Sequence, residues 1–176
     1  MNKLKKLNII IKVLLISIFI LLLFFTTRFF YIKNIENKLD KLYDSPININ
    51  QIYKDYTFDE YYDHVTIMTY IGQDKILNIP TYINNKPVYS IDDSAFYGNQ
   101  YLEVVTIPST VIRIGHQTFI GCDNLRIVYL PNNILDIGDW AFRVCPKLKS
   151  IYVKKHSISD RSLKKSYFKE YITYKK

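Results

Sequence analysis

Three consecutive segments of this chain repeat one another with a period of 23 residues, and they align without a gap. The segments are residues 88–110, 111–133 and 134–156. A unit of about 20–29 residues is too short to bury its own apolar side, so successive units must stack and share one continuous core. The repeat therefore predicts a solenoid.

Apolar residues occupy fixed columns of this repeat. The columns are Val88, Val111 and Ile134; Ile91, Ile114 and Ile137; Phe96, Phe119 and Phe142; Leu102, Leu125 and Leu148; Val105, Val128 and Ile151; and Ile107, Leu130 and Val153. We expect like residues to pack on one another along the core. The end of each unit alternates as a half-buried strand does. Pro108 and Pro131 follow directly, and proline ends a strand because it has no N–H to donate.

The repeat has the pattern I-x-x-x-A-F-x-G-C-x-x-L-x-x-V-x-I-P, which resembles the BspA-type leucine-rich repeat, a bacterial surface variety. Residues 65–91 resemble the first unit of that family, with NKPV at 85–88 where the family often has N-G-K-P-V. Residues 150–171 resemble its terminal strand and short closing helix. Three positions depart from the pattern: Asn99 replaces Cys, Val144 replaces Gly and Lys154 replaces Pro. The resemblance implies a cell-surface interaction or adhesion module.

The N-terminal segment predicts a membrane anchor. Residues 7–27 contain an uncharged apolar run from Val13 to Phe25, and about 20 such residues span a bilayer as a helix. The run ends in FFTTRFFY, without the small residues of a cleavage site, so we interpret it as an uncleaved signal anchor rather than a cleaved signal peptide. Four basic side chains lie on each side of the span, and the cluster at the extreme N-terminus favours a cytoplasmic start and an outward-facing solenoid.

A polar stalk is expected to follow the anchor. Ile32, Ile35, Leu39 and Leu42 form one stripe of a helix, which is either a plain extension of the anchor or a dimerising coiled coil. Residues 44–60 look like a polar linker. The predicted organisation is a basic tip and anchor at 1–32, a helical stalk and linker at 33–60, an N-terminal cap at 61–87, three repeats at 88–156 and a basic capping helix at 157–176.

The net charge of +8 does not indicate nucleic-acid binding, because the excess lies at the two ends of the chain. Residues 33–153 carry a net charge of −3, whereas residues 154–176 carry +6. A nucleic-acid groove requires basic side chains on the folded surface itself. The basic tail predicts a helix with Leu163, Tyr167 and Tyr171 on one side. It either caps the last coil or contacts anionic lipid or wall polymer.

The sequence predicts no enzymatic activity, cofactor or metal site. Cys122 and Cys145 lie one period apart and are expected to be buried packing thiols, with a disulfide as the alternative. Three histidines, His64, His116 and His156, have no regular relation to a Ser, Asp or Cys motif. The chain also has no glycine-rich phosphate loop, G-x-S-x-G or H-E-x-x-H motif.

The best binding candidates lie on the predicted strands, in rows that point away from the core. These candidate partner-binding residues are Glu103, Arg126 and Lys149 in one row and Thr106, Tyr129 and Tyr152 in the next. Stacked tyrosines with neighbouring charges suit a protein or glycan partner, and the alternative is a solvated sheet face.

The sequence as a whole predicts a mainly β repeat solenoid on a single-pass membrane anchor, facing outward and mediating protein–protein or cell-surface interaction. One alternative is a structural envelope protein that self-associates through its span and stalk. The other is a secreted effector released by signal cleavage.

Overall fold

A computed structural model describes residues 25–30, 33–34, 46 and 48–175. The chain divides into two units, Met1–Ser45 and Pro46–Lys176. In the first unit, residues 25–30 and 33–34 are helical. The remainder of the predicted anchor and the whole apolar stripe of the predicted stalk lie outside the described residues. Among the described residues, no helix combines the length and the apolar character needed to cross a membrane.

The second unit is a mainly β solenoid of about five turns. Its strands are β1 (Asn48–Tyr53), β2 (Tyr56–Glu60), β3 (Val65–Tyr70), β4 (Ile76–Asn78), β5 (Tyr82–Ile83), β6 (Lys86–Ile91), β7 (Val104–Thr106), β8 (Arg113–Ile114), β9 (Ile127–Tyr129), β10 (Asp136–Ile137), β11 (Ser150–Val153) and β12 (Ile172–Tyr174). Helix α1 covers Ile158–Lys165, and a 3-10 turn covers Lys169–Tyr171. A five-stranded sheet has the order β12-β11-β9-β7-β4 and is parallel throughout. A seven-stranded sheet has the order β1-β2-β3-β6-β8-β10, with β5 paired to β6.

Strand pairing confirms the 23-residue period. In the five-stranded sheet Val105 pairs with Val128, which in turn pairs with Ile151. The two steps at the ends differ, because Leu77 pairs with Val105 and Ile151 pairs with Ile172. The solenoid thus extends one turn beyond the predicted three repeats at each end, and the estimate of three repeats is too short.

A column of aromatic rings runs along the core. Adjacent ring centroids lie between 4.8 and 5.3 Å apart. The rings belong, in order, to Tyr56, Tyr70, Phe96, Phe119, Phe142 and Phe168. The predicted packing of phenylalanine on phenylalanine is confirmed, since Phe119 stacks on Phe96 at 4.8 Å and on Phe142 at 5.3 Å. Each such contact contributes about 0.5–1.5 kcal/mol beyond the area it buries.

The corners between the sheets bring neighbouring turns into direct backbone contact. The Phe96 N–H donates to the carbonyl of Thr118 at 2.8 Å, and the Phe119 N–H donates to the carbonyl of Ala141 at 2.7 Å. A Cβ atom on Gly138 would lie 2.5 Å from the carbonyl carbon of Gly115, so the corner accepts only glycine at this position. Backbone hydrogen bonds therefore continue between turns outside the strands.

Residues 48–60 are not the linker that their polarity suggested. β1 and β2 form an antiparallel hairpin, and β2 pairs with β3 at the edge of the seven-stranded sheet. The reason is alternation: Tyr56 and Phe58 are buried, whereas Thr57 between them is not. These two side chains extend the core beyond the predicted N-terminal cap.

The C-terminal segment is only partly helical. Ser157 caps α1 by accepting a hydrogen bond from the Asp160 N–H at 3.1 Å. The helix ends at Lys165 because the Ser166 hydroxyl donates to the carbonyl of Leu163 at 2.7 Å, a local bond that competes with helix continuation. The chain then forms the 3-10 turn and β12. Tyr167, expected on the packed side of a longer helix, is 73% exposed.

Candidate functional site

The outward face of the five-stranded sheet carries the residues that the sequence singled out. In each of its central strands the middle residue, such as Val105 or Val128, is buried, and the residues on either side of it point outward. This alternation places three rows of side chains along the face. We call them the tyrosine row, the charged row and the apolar row.

The tyrosine row runs across all five strands. It consists of Asn78, Thr106, Tyr129, Tyr152 and Thr173, as the strand register dictates. The rings of Tyr129 and Tyr152 stack with centroids 5.0 Å apart and planes inclined by 18°. The Lys175 ammonium lies 6.0 Å from the Tyr129 ring centroid and donates to the carbonyl of Leu130 at 3.0 Å. The structure thus brings together Thr106, Tyr129 and Tyr152, the three row members that the sequence predicted.

The charged row lies where the strands begin. Its members are Lys75, Glu103, Arg126 and Lys149. The Glu103 carboxylate lies 3.6 Å from the Lys75 ammonium and 3.9 Å from the Arg126 guanidinium. Exposed pairs of this kind contribute about 0–1 kcal/mol, so a partner can replace them at little cost. Arg126 and Lys149 are both exposed.

The apolar row lies between the other two, and the sequence analysis missed it. Its members are Ile76, Val104, Ile127 and Ser150. Ile76 is 69% exposed. The signal was present in the strand period: when Val105 faces the core, both of its neighbours must face outward. An apolar row flanked by polar and charged rows has the composition of a protein interface, with an apolar centre and a polar rim.

Cys122 and Cys145 are free and buried. Each thiol donates to a carbonyl of the preceding turn, Cys122 to Phe96 at 3.2 Å and Cys145 to Phe119 at 3.0 Å. Burial raises the pKa of Cys122 to about 12 and that of Cys145 to about 11. Both side chains are therefore protonated at neutral pH and act as packing groups with a weak hydrogen bond.

The three histidines make separate structural contacts. His64 hydrogen-bonds the Asp63 carboxylate at 2.7 Å and stacks on Tyr61, and its hydrogen bond lowers the pKa of Asp63. His116 Nδ1 accepts from the Asp139 N–H at 3.1 Å. The His156 N–H donates to the buried Asp160 carboxylate at 2.8 Å. Hence the fold does not bring the three rings together.

Comparison with known protein families gives a match over most of the solenoid. The family described as "BspA type Leucine rich repeat region" matches residues 69–176 in six copies. A comparison with curated proteins found no match.

Three solved structures are similar to this chain. The T. pallidum leucine-rich-repeat protein TpLRR is 28% identical, with a TM-score of 0.55 over 59% of this chain and 53% of that one. A leucine-rich-repeat protein from Bacteroides capillosus is 26% identical, with a TM-score of 0.59 over 72% of this chain and 98% of that one. A leucine-rich cell surface protein from Faecalibacterium prausnitzii is 27% identical, with a TM-score of 0.52 over 66% and 35%. The chain thus spans about half of the T. pallidum protein and about a third of the F. prausnitzii protein.

Proposed function

Because the chain belongs to the BspA-type leucine-rich-repeat family, we propose that it is a non-enzymatic module for protein–protein or cell-surface interaction. The observation that carries this proposal is the outward face of the five-stranded sheet, where an apolar row lies between a charged row and a tyrosine row. Aromatic and arginine side chains are enriched among the residues that dominate binding energy at interfaces. The stacked Tyr129–Tyr152 pair, with Arg126 beside it, supplies both.

We propose that the partner is a protein or a glycan that lies across several turns. The rings of Tyr129 and Tyr152 are already aligned, with centroids 5.0 Å apart, so binding them costs little side-chain entropy. Flat aromatic surfaces suit both an apolar protein side chain and the apolar face of a sugar. The charged row adds discrimination, because a partner must complement Glu103 as well as Arg126.

The proposed location is a membrane, with the solenoid outside the cell. The support comes from the apolar run Val13 to Phe25 and from the F. prausnitzii relative, which is described as a cell surface protein. Protease treatment of intact cells tests this: release of solenoid peptides with residues 1–28 retained in the membrane is the expected result. A protected solenoid would contradict the outward orientation. A mature chain that begins after Thr27 would identify a secreted effector instead.

We further propose that the segment after β11 caps the last turn. The Ser159 hydroxyl accepts from the Ile134 N–H at 2.8 Å and donates to the carbonyl of Pro131 at 2.6 Å. The Ser162 hydroxyl lies 2.9 Å from the carbonyls of both Ile134 and Leu135. These contacts satisfy backbone groups that would otherwise face solvent at the end of the solenoid. A terminal unit with a polar outer surface is what a solenoid needs to remain soluble.

Site-specific photo-cross-linking tests the binding face in the protein's own cells. A photoreactive phenylalanine analogue replaces Tyr152 in one full-length variant and Tyr97, which is 68% exposed, in the control. Cross-links to a different molecule at position 152 and none at position 97 are expected. Equal cross-linking at both positions would contradict a specific face. Cross-links only to a second copy of this chain would favour the alternative, a structural envelope protein that self-associates.

A further inference from the structure

A second cleft lies at the C-terminal end of the solenoid, beside helix α1. It has a volume of about 280 Å³ and is open to solvent. Its lining residues come from the turn after β9, the turn after β11 and the first turns of α1. They are Asn132, Lys154, Lys155, His156, Ser157, Ile158 and Arg161.

The charge of this cleft is entirely positive. Lys154, Lys155 and Arg161 line it, and no Asp or Glu is among its described lining residues. The nearest acidic residue along the chain, Asp160, is fully buried and is held by the His156 N–H at 2.8 Å and by the Lys164 ammonium at 3.1 Å. Its charge is therefore compensated inside the protein and not in the cleft. Three like charges lining one cleft repel one another, and a bound anion relieves that repulsion.

The fold fixes this arrangement. The turn that leads into α1 is closed by a hydrogen bond from the Ser157 N–H to the carbonyl of Lys154 at 3.1 Å. His156 adopts a left-handed conformation with φ of 64°, and the Arg161 guanidinium donates to its carbonyl at 3.4 Å. The N-terminal end of α1 borders the same cleft, and its dipole adds a partial positive charge. The N–H groups of Ile158 and Ser159 are already bonded to the carbonyl of Asn132, so the side chains must supply the ligand contacts.

We infer that this cleft binds the phosphate group of a phosphate ester carried on a polyol. Arginine and lysine together suit the several oxygens of a phosphate. The Asn132 amide and the Ser157 hydroxyl provide partners for a hydroxyl next to it. A bilayer surface fits less well, because Leu163, on the apolar side of α1, is buried in the core and cannot insert into lipid. The site is separate from the outward face of the five-stranded sheet and does not depend on the function proposed there.

Calorimetric titration of the full-length chain in non-ionic detergent tests this site. The probes are sn-glycerol 3-phosphate, glycerol without phosphate, and phosphatidylcholine vesicles with and without phosphatidylglycerol. We expect glycerol phosphate to bind with a Kd of about 1 mM, as suits a small open site, and glycerol to show no binding. Lys154→Gln and Arg161→Gln should each weaken binding about tenfold, the value of one charge-assisted hydrogen bond.

Lys165→Gln is the matched control, because it removes the same charge from the same helix outside this cleft. It should change the affinity by less than about twofold, since an exposed charge outside the site is largely screened. An equal loss in Lys165→Gln and Lys154→Gln would overturn the proposal, because net charge alone would then explain binding. Binding of phosphatidylglycerol vesicles without binding of glycerol phosphate would also overturn it. If Arg161→Gln lowers the unfolding temperature, Lys154→Gln decides the outcome.

Discussion

The corner glycine of the third repeat offers a direct test of how closely the turns approach. In Gly138→Ala the new Cβ would lie 2.5 Å from both the carbonyl carbon of Gly115 and the amide nitrogen of His116. Both are backbone atoms, so the clash cannot be relieved by rotating a side chain. The two turns must separate by nearly 1 Å, which weakens the hydrogen bond from the Gly138 N–H to the Ile114 carbonyl, now 2.8 Å. Overpacking costs about 1–3 kcal/mol and a weakened backbone hydrogen bond about 1 kcal/mol, so we expect a loss of about 3 kcal/mol.

Urea unfolding of the full-length chain in detergent measures this loss. Trp140 is the single tryptophan of the sequence and lies two residues from the substitution, so its fluorescence reports on the same turn. With a urea dependence of about 2 kcal/mol per M, the unfolding midpoint should fall by about 1.5 M. Gly98→Ala is the control: φ is +66° there, but no heavy atom lies within 4 Å of the new Cβ, so only the left-handed strain of about 1 kcal/mol applies. Equal midpoints for the two variants would refute the close-approach argument.

Three further substitutions test other local arguments. Val144→Gly should raise the unfolding free energy by about 1 kcal/mol, because Val144 has φ of 56° where the preceding units have glycine; an unchanged urea midpoint would refute this. Ser159→Ala should cost about 1–3 kcal/mol by leaving the Ile134 N–H without its bond at 2.8 Å, and a Ser159→Thr variant that retains the hydroxyl is the control. Burial raises the pKa of Asp160, but the His156 N–H and Lys164 outweigh it, so its pKa lies below the ordinary 3.8. Stability is then full above about pH 4 and falls as the pH drops through the folded-state pKa, and Asp160→Asn should flatten that acid limb of the melting-temperature profile.

The repeat carried most of the information about the fold. Because one residue per unit must occupy each core position, the period alone predicted the register of β7, β9 and β11 and the stacking of Phe96, Phe119 and Phe142. The end turns broke that period. Leu77 precedes its partner Val105 by 28 residues and Ile172 follows Ile151 by 21, so neither aligns with the 23-residue columns.

The outward face was only partly predictable for a different reason. Core columns repeat because every turn buries the same position, whereas outward positions vary and cannot be found by comparing units. The tyrosine row was visible because Tyr129 and Tyr152 happen to match. The apolar row was not, since Ile76 lies outside the aligned units and Ser150 ends the row with a polar residue. Strand alternation, rather than repetition, is the principle that identifies these positions.

The exception in the cysteine column shows what such a column selects. Asn99 stands where the next two units have Cys122 and Cys145, and its Nδ2 donates to the carbonyl of Gly72 in the preceding turn at 3.0 Å. The two thiols make the equivalent bond to the preceding turn at 3.2 and 3.0 Å. What the fold requires here is a short side chain that donates a hydrogen bond to the turn before it, and either an amide or a thiol provides one. A departure from the repeat pattern at this column therefore preserves the interaction, whereas a change at an outward row alters the surface that a partner meets.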